Sequence, residues 1–423
     1  MVFVPGTAIG DEIIARVVKV RSGCAYGIIE EITSPSPHRI DPDCPVFGRC
    51  GGCSLRHMDY RAELEIKGRW VKENLLRIGG IDAPMESPVP SPRESRYRNK
   101  AAYPIRLYNG KTRAGFFAKR SHAPVPVGDC LLQPQVFGDI AGYVCDWLDR
   151  RGIAPYDEKN HSGLVRTLYL RIGEATGQIM ACIVINGSGI PGEAELAQGL
   201  VSAFPGIKTI LLSENRRRDN VILGDAERVL YGDGRICDIL CGIELSLSAR
   251  SFYQVNRGAA ELLYKKALEY AAPKRDHILL DLYCGAGAIG LSMAKNAGMI
   301  IGVESVAQAA QDARRNAAAN AVANARFYHG DAADAAQIMR EIGRRPDTVI
   351  LDPPRKGISP EAIAGIIDIN PQKIVYISCS PATLARDCKL LAAHGYAVVK
   401  ACAVDLFPRT AHIEAITLLE NGN

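Results

Sequence analysis

The feature that most restricts this chain is the alternation of strand-like and helix-like segments from about residue 257 to the end. A helix GAAELLYKKALEYAA leads into a strand HILLDLY. Then GLSMAKNA, MIIGVE, AQAAQDARRNAAAN, ARFYHGD, TVILDPP, PEAIAGII, KIVYISCS, ATLARDCKLLAA, YAVVKACAVD and HIEAITLLE follow in turn. Strands and helices taking turns over such a length predict an α/β fold, a parallel-rich sheet with helices on both faces. In sheets of this kind ligands bind at the carboxyl ends of the strands, so residues there are the first candidates for function.

The run Asp281-Leu-Tyr-Cys-Gly-Ala-Gly-Ala-Ile-Gly290 lies between the strand HILL and a helix. Its glycines let the backbone turn sharply and approach a ligand at the positive end of a helix. Taken literally it also fits the GxGxxG of dinucleotide-binding proteins, which leaves an NAD-dependent oxidoreductase open. Asp281 argues the other way: a carboxylate just before the glycines repels a pyrophosphate but suits a nucleoside bearing a sulfonium. Glu304 ends the next strand and suits ribose hydroxyls, which either cofactor carries. Asp331 follows a third strand, placed either to accept from an adenine amino group or simply to cap a helix.

Four further motifs carry possible chemistry. Asp352-Pro-Pro-Arg-Lys-Gly357 follows the strand TVIL; amine methyltransferases have an aromatic residue where this chain has Arg355. Cys379 stands at the end of KIVYIS before a helix, where a thiol pKa can fall below about 8.5; a structural cysteine is the alternative. Glu414 precedes the last strand as a candidate base, with His412 placed to orient it; an exposed loop glutamate is the alternative. Ser251-Phe-Tyr-Gln254-Val-Asn256 precedes the first helix of the alternating region, with Asn256 a candidate cap. A cysteine, a carboxylate and an amide are what methylation at C5 of a uracil requires. Thiolate addition at C6 makes C5 nucleophilic, a base removes the C5 proton, and donors hold the enolate oxygen.

The motifs FYQVN, DLYCGAG, GVE, GD, DPPRKG, YISCSPATLARD and FPRTAHIE, in this order, resemble the RNA uracil-5 methyltransferase family, which contains the 23S rRNA and tRNA m5U enzymes. The resemblance implies a C-terminal Rossmann-like class I methyltransferase domain that binds S-adenosyl-L-methionine. It implies that Gln254, Tyr283, Glu304, Asp331 and Asp352 line the cofactor or uracil pocket, that Cys379 is the nucleophile and that Glu414 removes the proton. Ala288 departs from the polar residue many members have. A cytosine-5 RNA methyltransferase is the neighbouring alternative, but those enzymes carry a second cysteine beside the Asp-Pro motif. A non-catalytic RNA-binding module would be expected to lack Cys379 or Glu414.

Upstream, the thirteen cysteines are an odd number, and no basic-then-apolar leader precedes them, so metal binding or catalysis is expected rather than a disulfide framework. Cys44, Cys50, Cys53 and Cys130 resemble the family's four-cysteine [4Fe-4S] site; spacing alone accommodates a structural zinc equally. The chain carries a net charge of +5, with basic clusters at Arg93–Lys100, Lys111–Arg120 and Arg216–Arg218, which are either solvated loops or RNA contacts. YRNKAAYPI and GFFAKRSH resemble the family's β-rich central RNA-facing domain. Residues 1–36 resemble only the middle and end of a TRAM domain, a small OB-like RNA-binding barrel. The expected division is therefore 1–36, a partial OB-like segment; 37–55 plus 88–245, a central iron–sulfur and RNA-binding domain; and 56–87 plus 246–423, the methyltransferase domain. Expected partners are RNA, with rRNA ahead of tRNA, and no membrane. The chain is expected to be monomeric and cytoplasmic, since no apolar run reaches the roughly 18 residues a membrane span needs.

Overall fold

The computed structural model describes residues 1–422. The first strands, β1 (Val2–Phe3), β2 (Glu12–Arg21) and β3 (Cys24–Ser34), form a sheet of order β1-β3-β2 with three register shifts between β2 and β3. Both faces of β2 meet solvent, with Val18 and Val20 exposed. This bulged sheet is compatible with part of an OB-like barrel. Helix α1 (Tyr60–Asn74) starts at Asp59, whose carboxylate accepts from the Ala62 N–H. In the structure it widens into a π-turn over Leu75–Gly79 and stops on Gly80 at φ 67°. The wider turn keeps Leu75 buried.

The middle of the chain supplies β4 (Lys100–Tyr108), β5 (Lys111–Phe117), β6 (Pro124–Pro126), α2 (Gln135–Arg150), β7 (Val165–Ile172), β8 (Ile179–Ile185), α3 (Glu193–Ala203), β9 (Ile207–Glu214) and β10 (Ala226–Tyr231). The seven strands make one mixed sheet of order β10-β9-β8-β7-β4-β5-β6. Its core is closed by the apolar faces of α2 and α3. Helix α3 opens on Gly192 without a side-chain cap, with Glu193 and Glu195 in its first turn. A hairpin of β11 (Ile236–Leu240) and β12 (Ile243–Leu247) leads into the alternating region.

That region runs α4 (Arg257–Ala271), β13 (Ile278–Leu282), α5 (Ala288–Met293), β14 (Met299–Glu304), α6 (Ala307–Ala319), β15 (Ala325–His329), α7 (Ala335–Ile342), β16 (Thr348–Leu351), α8 (Pro360–Ile369), β17 (Lys373–Ser378), α9 (Pro381–Ala392), β18 (Tyr396–Val404) and β19 (Glu414–Asn421). The sheet order is β15-β14-β13-β16-β17-β19-β18, with the first five strands parallel and β19 antiparallel to both neighbours. Its central strands are apolar along their length because both faces are covered. Leu279, Ile300, Ile350 and Val375 pack under α4, α5 and α6. Leu280, Ile301, Val349 and Ile374 pack under α7, α8 and α9, and here Val71 and Leu75 of α1 join the same core. Each fully buried aliphatic side chain of this kind contributes about 1.5–3 kcal/mol. No helix among the described residues is long and apolar enough to cross a membrane.

Candidate active site

The parallel strands end along one edge, and the candidate residues collect there. Asp281 is on β13, with Tyr283 just beyond it; Glu304 ends β14; Asp331 follows β15; Asp352 follows β16; Cys379 follows β17. Glu414 comes from the opposite chain direction. In the antiparallel ladder of β17 and β19 the last pair is Ser378 with Ala415; Cys379 and Glu414 are the next residues on either side, and the Glu414 charge acts on the Cys379 thiol. Neighbours across such a ladder lie about 4.5–5.5 Å apart at Cα. A thiol and a carboxylate distant in the chain thus meet at the crevice.

The glycine-rich turn is organised by two acids. Asp281 Oδ2 accepts from the Gly290 N–H at 2.9 Å. Glu304 Oε2 accepts from the Gly285 N–H at 2.9 Å, and its Oε1 from the Val306 N–H at 2.7 Å. Gly287 sits at φ 82° and Tyr283 at φ 63°, the latter a conformation that side-chain-bearing residues seldom adopt. Gly290 is needed for a second reason: a Cβ there would stand 2.7 Å from Ile300 Cγ2 and 3.0 Å from Asp281 Oδ2. Asp331 takes the capping alternative, its Oδ1 accepting from the Ala333 N–H at 3.0 Å, with its side chain still exposed at the strand ends.

The crevice is strongly acidic. Burial pushes the carboxyls of Asp281 and Asp352 up to about 7 each, and Asp281 also feels Asp352 and Glu304. Asp281 Oδ1 is buried with no hydrogen-bond partner. Glu414 is pushed well above the usual carboxylate range, first by burial and then by Asp352, with Arg355 opposing. The Cys379 thiol departs from the sequence expectation. It is raised, not lowered, because it is half-buried beside Glu414 and Asp352; the Arg355 guanidinium hydrogen-bonds it and pulls the other way. The position before α9 is as expected, with Ser380 capping that helix, but burial, and after it the Glu414 and Asp352 carboxylates, keep the thiol up. Arg355 is the site neighbour that the sequence reading left out; it reaches the thiol only because β16 and β17 lie side by side, which no local signal gives.

His412 does not orient Glu414. Its ring stands edge-on to Phe407, with centroids 5.9 Å apart, and no hydrogen bond joins it to Glu414 among the described residues. Partial burial and the nearby Arg355, Arg98 and Lys67 hold its pKa down. Gln254 is buried and its backbone carbonyl accepts from Asn99 Nδ2 at 2.9 Å, while Asn256 caps α4 as expected. Beside this segment lies Lys100, which burial, Arg171 and Arg98 push down to about 8. Other members of the basic clusters are paired: Arg93 with Glu174, Arg96 with Asp129, Arg217 with Asp219.

Away from the crevice, Cys44, Cys50, Cys53 and Cys130 line one cavity of about 100 Å³ together with Phe47, Arg56 and Val127. Burial raises the thiols of Cys50, Cys53 and Cys130, that of Cys53 to about 11, and the cysteines act on one another's charge. Among the described residues no group of three or more His, Cys, Asp or Glu side chains is arranged to hold a metal ion.

Residues 243–422 match the tRNA (Uracil-5-)-methyltransferase family model. A protein of Caldanaerobacter subterraneus subsp. tengcongensis named as an RNA methyltransferase is 39% identical, covering 99% of this chain and 93% of its own length. One of Halalkalibacterium halodurans, also named as an RNA methyltransferase, is 39% identical over 100% of this chain and 92% of its own length. Among solved structures, the Pyrococcus abyssi tRNA (uracil-54, C5)-methyltransferase in complex with S-adenosyl-L-homocysteine superposes with a TM-score of 0.79 at 28% identity, covering 98% of this chain and 95% of that one. This chain therefore belongs to a family of RNA methyltransferases, and its C-terminal part matches the uracil-5 branch.

Proposed function

We propose that the protein transfers the methyl group of S-adenosyl-L-methionine to C5 of a uridine, through a covalent bond between Cys379 and C6. The observation that carries this reading is the juxtaposition of Cys379 and Glu414 at the edge where the cofactor turn opens. The thiol loses its proton and adds to C6, and the C5–C6 electron pair moves into an enolate at O4. C5 then attacks the sulfonium methyl, the S–CH3 bond breaks and S-adenosylhomocysteine is left. Glu414 takes the C5 proton, the C5–C6 double bond re-forms and the thiolate departs. A glutamate whose carboxylate form is destabilised by burial is a stronger base than a solvated one. Arg355 stabilises the thiolate, and Gln254 is assigned to the enolate side. Tyr283, Glu304 and Asp331 hold the nucleoside, with Asp352 beside the sulfonium. The uridine must be single-stranded or turned out of its stack to reach this crevice.

In this reading residues 56–87 and 246–423 form the methyl-transfer unit, and the middle sheet with Lys100 presents the RNA. The four cysteines hold a [4Fe-4S] cluster. What supports this is that all four thiols line one cavity, as the four-cysteine resemblance requires. Such a cluster, when bound, supplies a cross-link between residues 44–53 and 130. Members with the four cysteines act on 23S rRNA or on tRNA; 23S rRNA is the first reading, and the P. abyssi structure supports tRNA as the second. Mapping m5U in both RNA classes from cells with and without the gene decides between them. Cys379→Ala should bind S-adenosylhomocysteine and form no covalent RNA complex, and Glu414→Gln should accumulate the methylated complex. Normal turnover by Glu414→Gln would remove the proposed base.

A further inference from the structure

Lys67 is a lysine that the chemistry above does not use, yet it is fully buried on α1. Its ammonium donates to Glu63 Oε1 at 2.8 Å, to Asp405 Oδ1 at 2.8 Å and to the Phe407 carbonyl at 3.0 Å. That uses all three of its hydrogens. Asp405 Oδ1 also accepts from the Phe407 N–H at 3.0 Å, and Glu63 Oε1 accepts from the Arg409 N–H at 2.6 Å. Asn256 Nδ2 donates to the Leu406 carbonyl at 3.1 Å, and the Tyr97 hydroxyl to the Pro408 carbonyl at 2.9 Å. The Arg409 carbonyl receives the N–H groups of Ser54 and Leu55 at 2.9 and 3.0 Å. Each residue from 405 to 409 is therefore tied to a group from another part of the chain. Arg409 itself is held at φ 69°. The segment ends five residues before Glu414.

A buried ion cluster adds little to stability that well-packed apolar side chains would not. What this one does supply is a fixed path for one stretch of backbone. The outer end of that path is Ser54, next in the chain to Cys53 of the four-cysteine cavity. We infer that Lys67, with Glu63 and Asp405, is the positioning device that aims Glu414 into the crevice, and that the segment carrying Cys53 is its outer anchor. The inference rests on the base role given above to Glu414. Lys67 touches no reacting atom and acts only through residues 405–413.

The test uses the full chain, methyl-labelled S-adenosylmethionine and the RNA identified by m5U mapping. A displaced Glu414 slows the last proton removal, so methylated RNA stays bonded to Cys379. Lys67→Met should accumulate a denaturation-resistant, methyl-labelled protein–RNA complex. Its kcat should fall by about tenfold or more, with S-adenosylhomocysteine affinity within about threefold of the parent. Glu63→Gln keeps the side-chain shape and should do the same to a smaller extent, which covers failure of Lys67→Met to fold. Ser54→Pro removes one donor to the Arg409 carbonyl and should raise the trapped complex while iron content stays unchanged. Glu414→Gln runs alongside as the reference. If it traps no complex, the base role fails and the inference with it. If Glu414→Gln traps the complex while the Lys67 and Glu63 variants lose only folded protein, Lys67 is a structural residue and the inference is overturned. Unchanged turnover in Ser54→Pro, with the Lys67 effect intact, removes the anchor alone.

Discussion

Carboxyl groups decide the behaviour of this crevice residue by residue. Asp281 and Asp352 each stand at about 7, well above the value of about 3.9 that an aspartate has in an unfolded chain. A carboxyl raised on folding binds its proton more tightly in the folded state, so ionising it favours unfolding. Its contribution to stability is present at low pH and is lost as pH rises from about 4 through 7. The ligand-free protein should therefore melt about 3–5 °C lower at pH 8 than at pH 6 by calorimetry, and Asp281→Asn should flatten that slope. A bound sulfonium reverses the preference, since it attracts the ionised form. S-adenosylmethionine should gain on S-adenosylhomocysteine as pH rises from 6 to 8, by up to about tenfold in the ratio of dissociation constants. A ratio constant with pH would show that these acids do not face the sulfur. Burial first, and then Glu414 and Asp352, raise the Cys379 thiol: ordinary sequence cues for an activated cysteine are a helix start and nearby cations, and neither reveals burial or acids arriving from other strands.

Among the elements, α5 and its turn bear most directly on cofactor binding. Gly290 packs so closely on β14 that a methyl group would enter the van der Waals shells of Ile300 and Asp281. Gly290→Ala should push α5 off the sheet, cost about 1–3 kcal/mol in unfolding free energy, and weaken S-adenosylhomocysteine binding at least tenfold by titration calorimetry. Full affinity in that variant would mean that the turn yields without reaching the ligand. The alternation of elements from α4 to β19 was legible because each strand reads as a short apolar run and each helix has a 3.6-residue period. Strand order was not. Nothing local says that β19 inserts between β17 and β18, yet that insertion alone brings Glu414 opposite Cys379. The Lys67 network was hidden for the same reason, since its acids, Glu63 and Asp405, lie 338 residues apart from Lys67 in one case and on its own helix in the other. The four cysteines were visible as a group, while their meeting around one cavity is a property of two loops docked against β5.

Across the whole molecule, the middle sheet and the methyl-transfer sheet are joined where β4 begins. The Asn99 N–H donates to the Val255 carbonyl at 2.8 Å, and Arg171 of β7 donates to the carbonyls of Ser248 and Ser251 at 3.0 and 2.7 Å. The segment that carries Gln254 is thus held by strands of the other sheet, and Lys100 sits at that seam. Arg93, Arg96 and Arg217 are already paired with acids, so these three are not the free cations of their clusters. Lys100, half-buried beside Arg98 and Arg171, is the cation whose charge is most sensitive to pH: at about 8 it is mostly charged at pH 7 and mostly neutral at pH 9. RNA affinity should consequently weaken over that interval by about fivefold, while S-adenosylhomocysteine affinity should not follow it. Lys100→Arg keeps a charge through pH 9 and should abolish the decline. Lys100→Ala should bind weakly at both values and lower the slope of log affinity against log salt by about one. Filter binding at fixed ionic strength measures all three proteins. A decline that persists in Lys100→Arg would place the titrating group elsewhere and take the substrate's phosphates away from this seam.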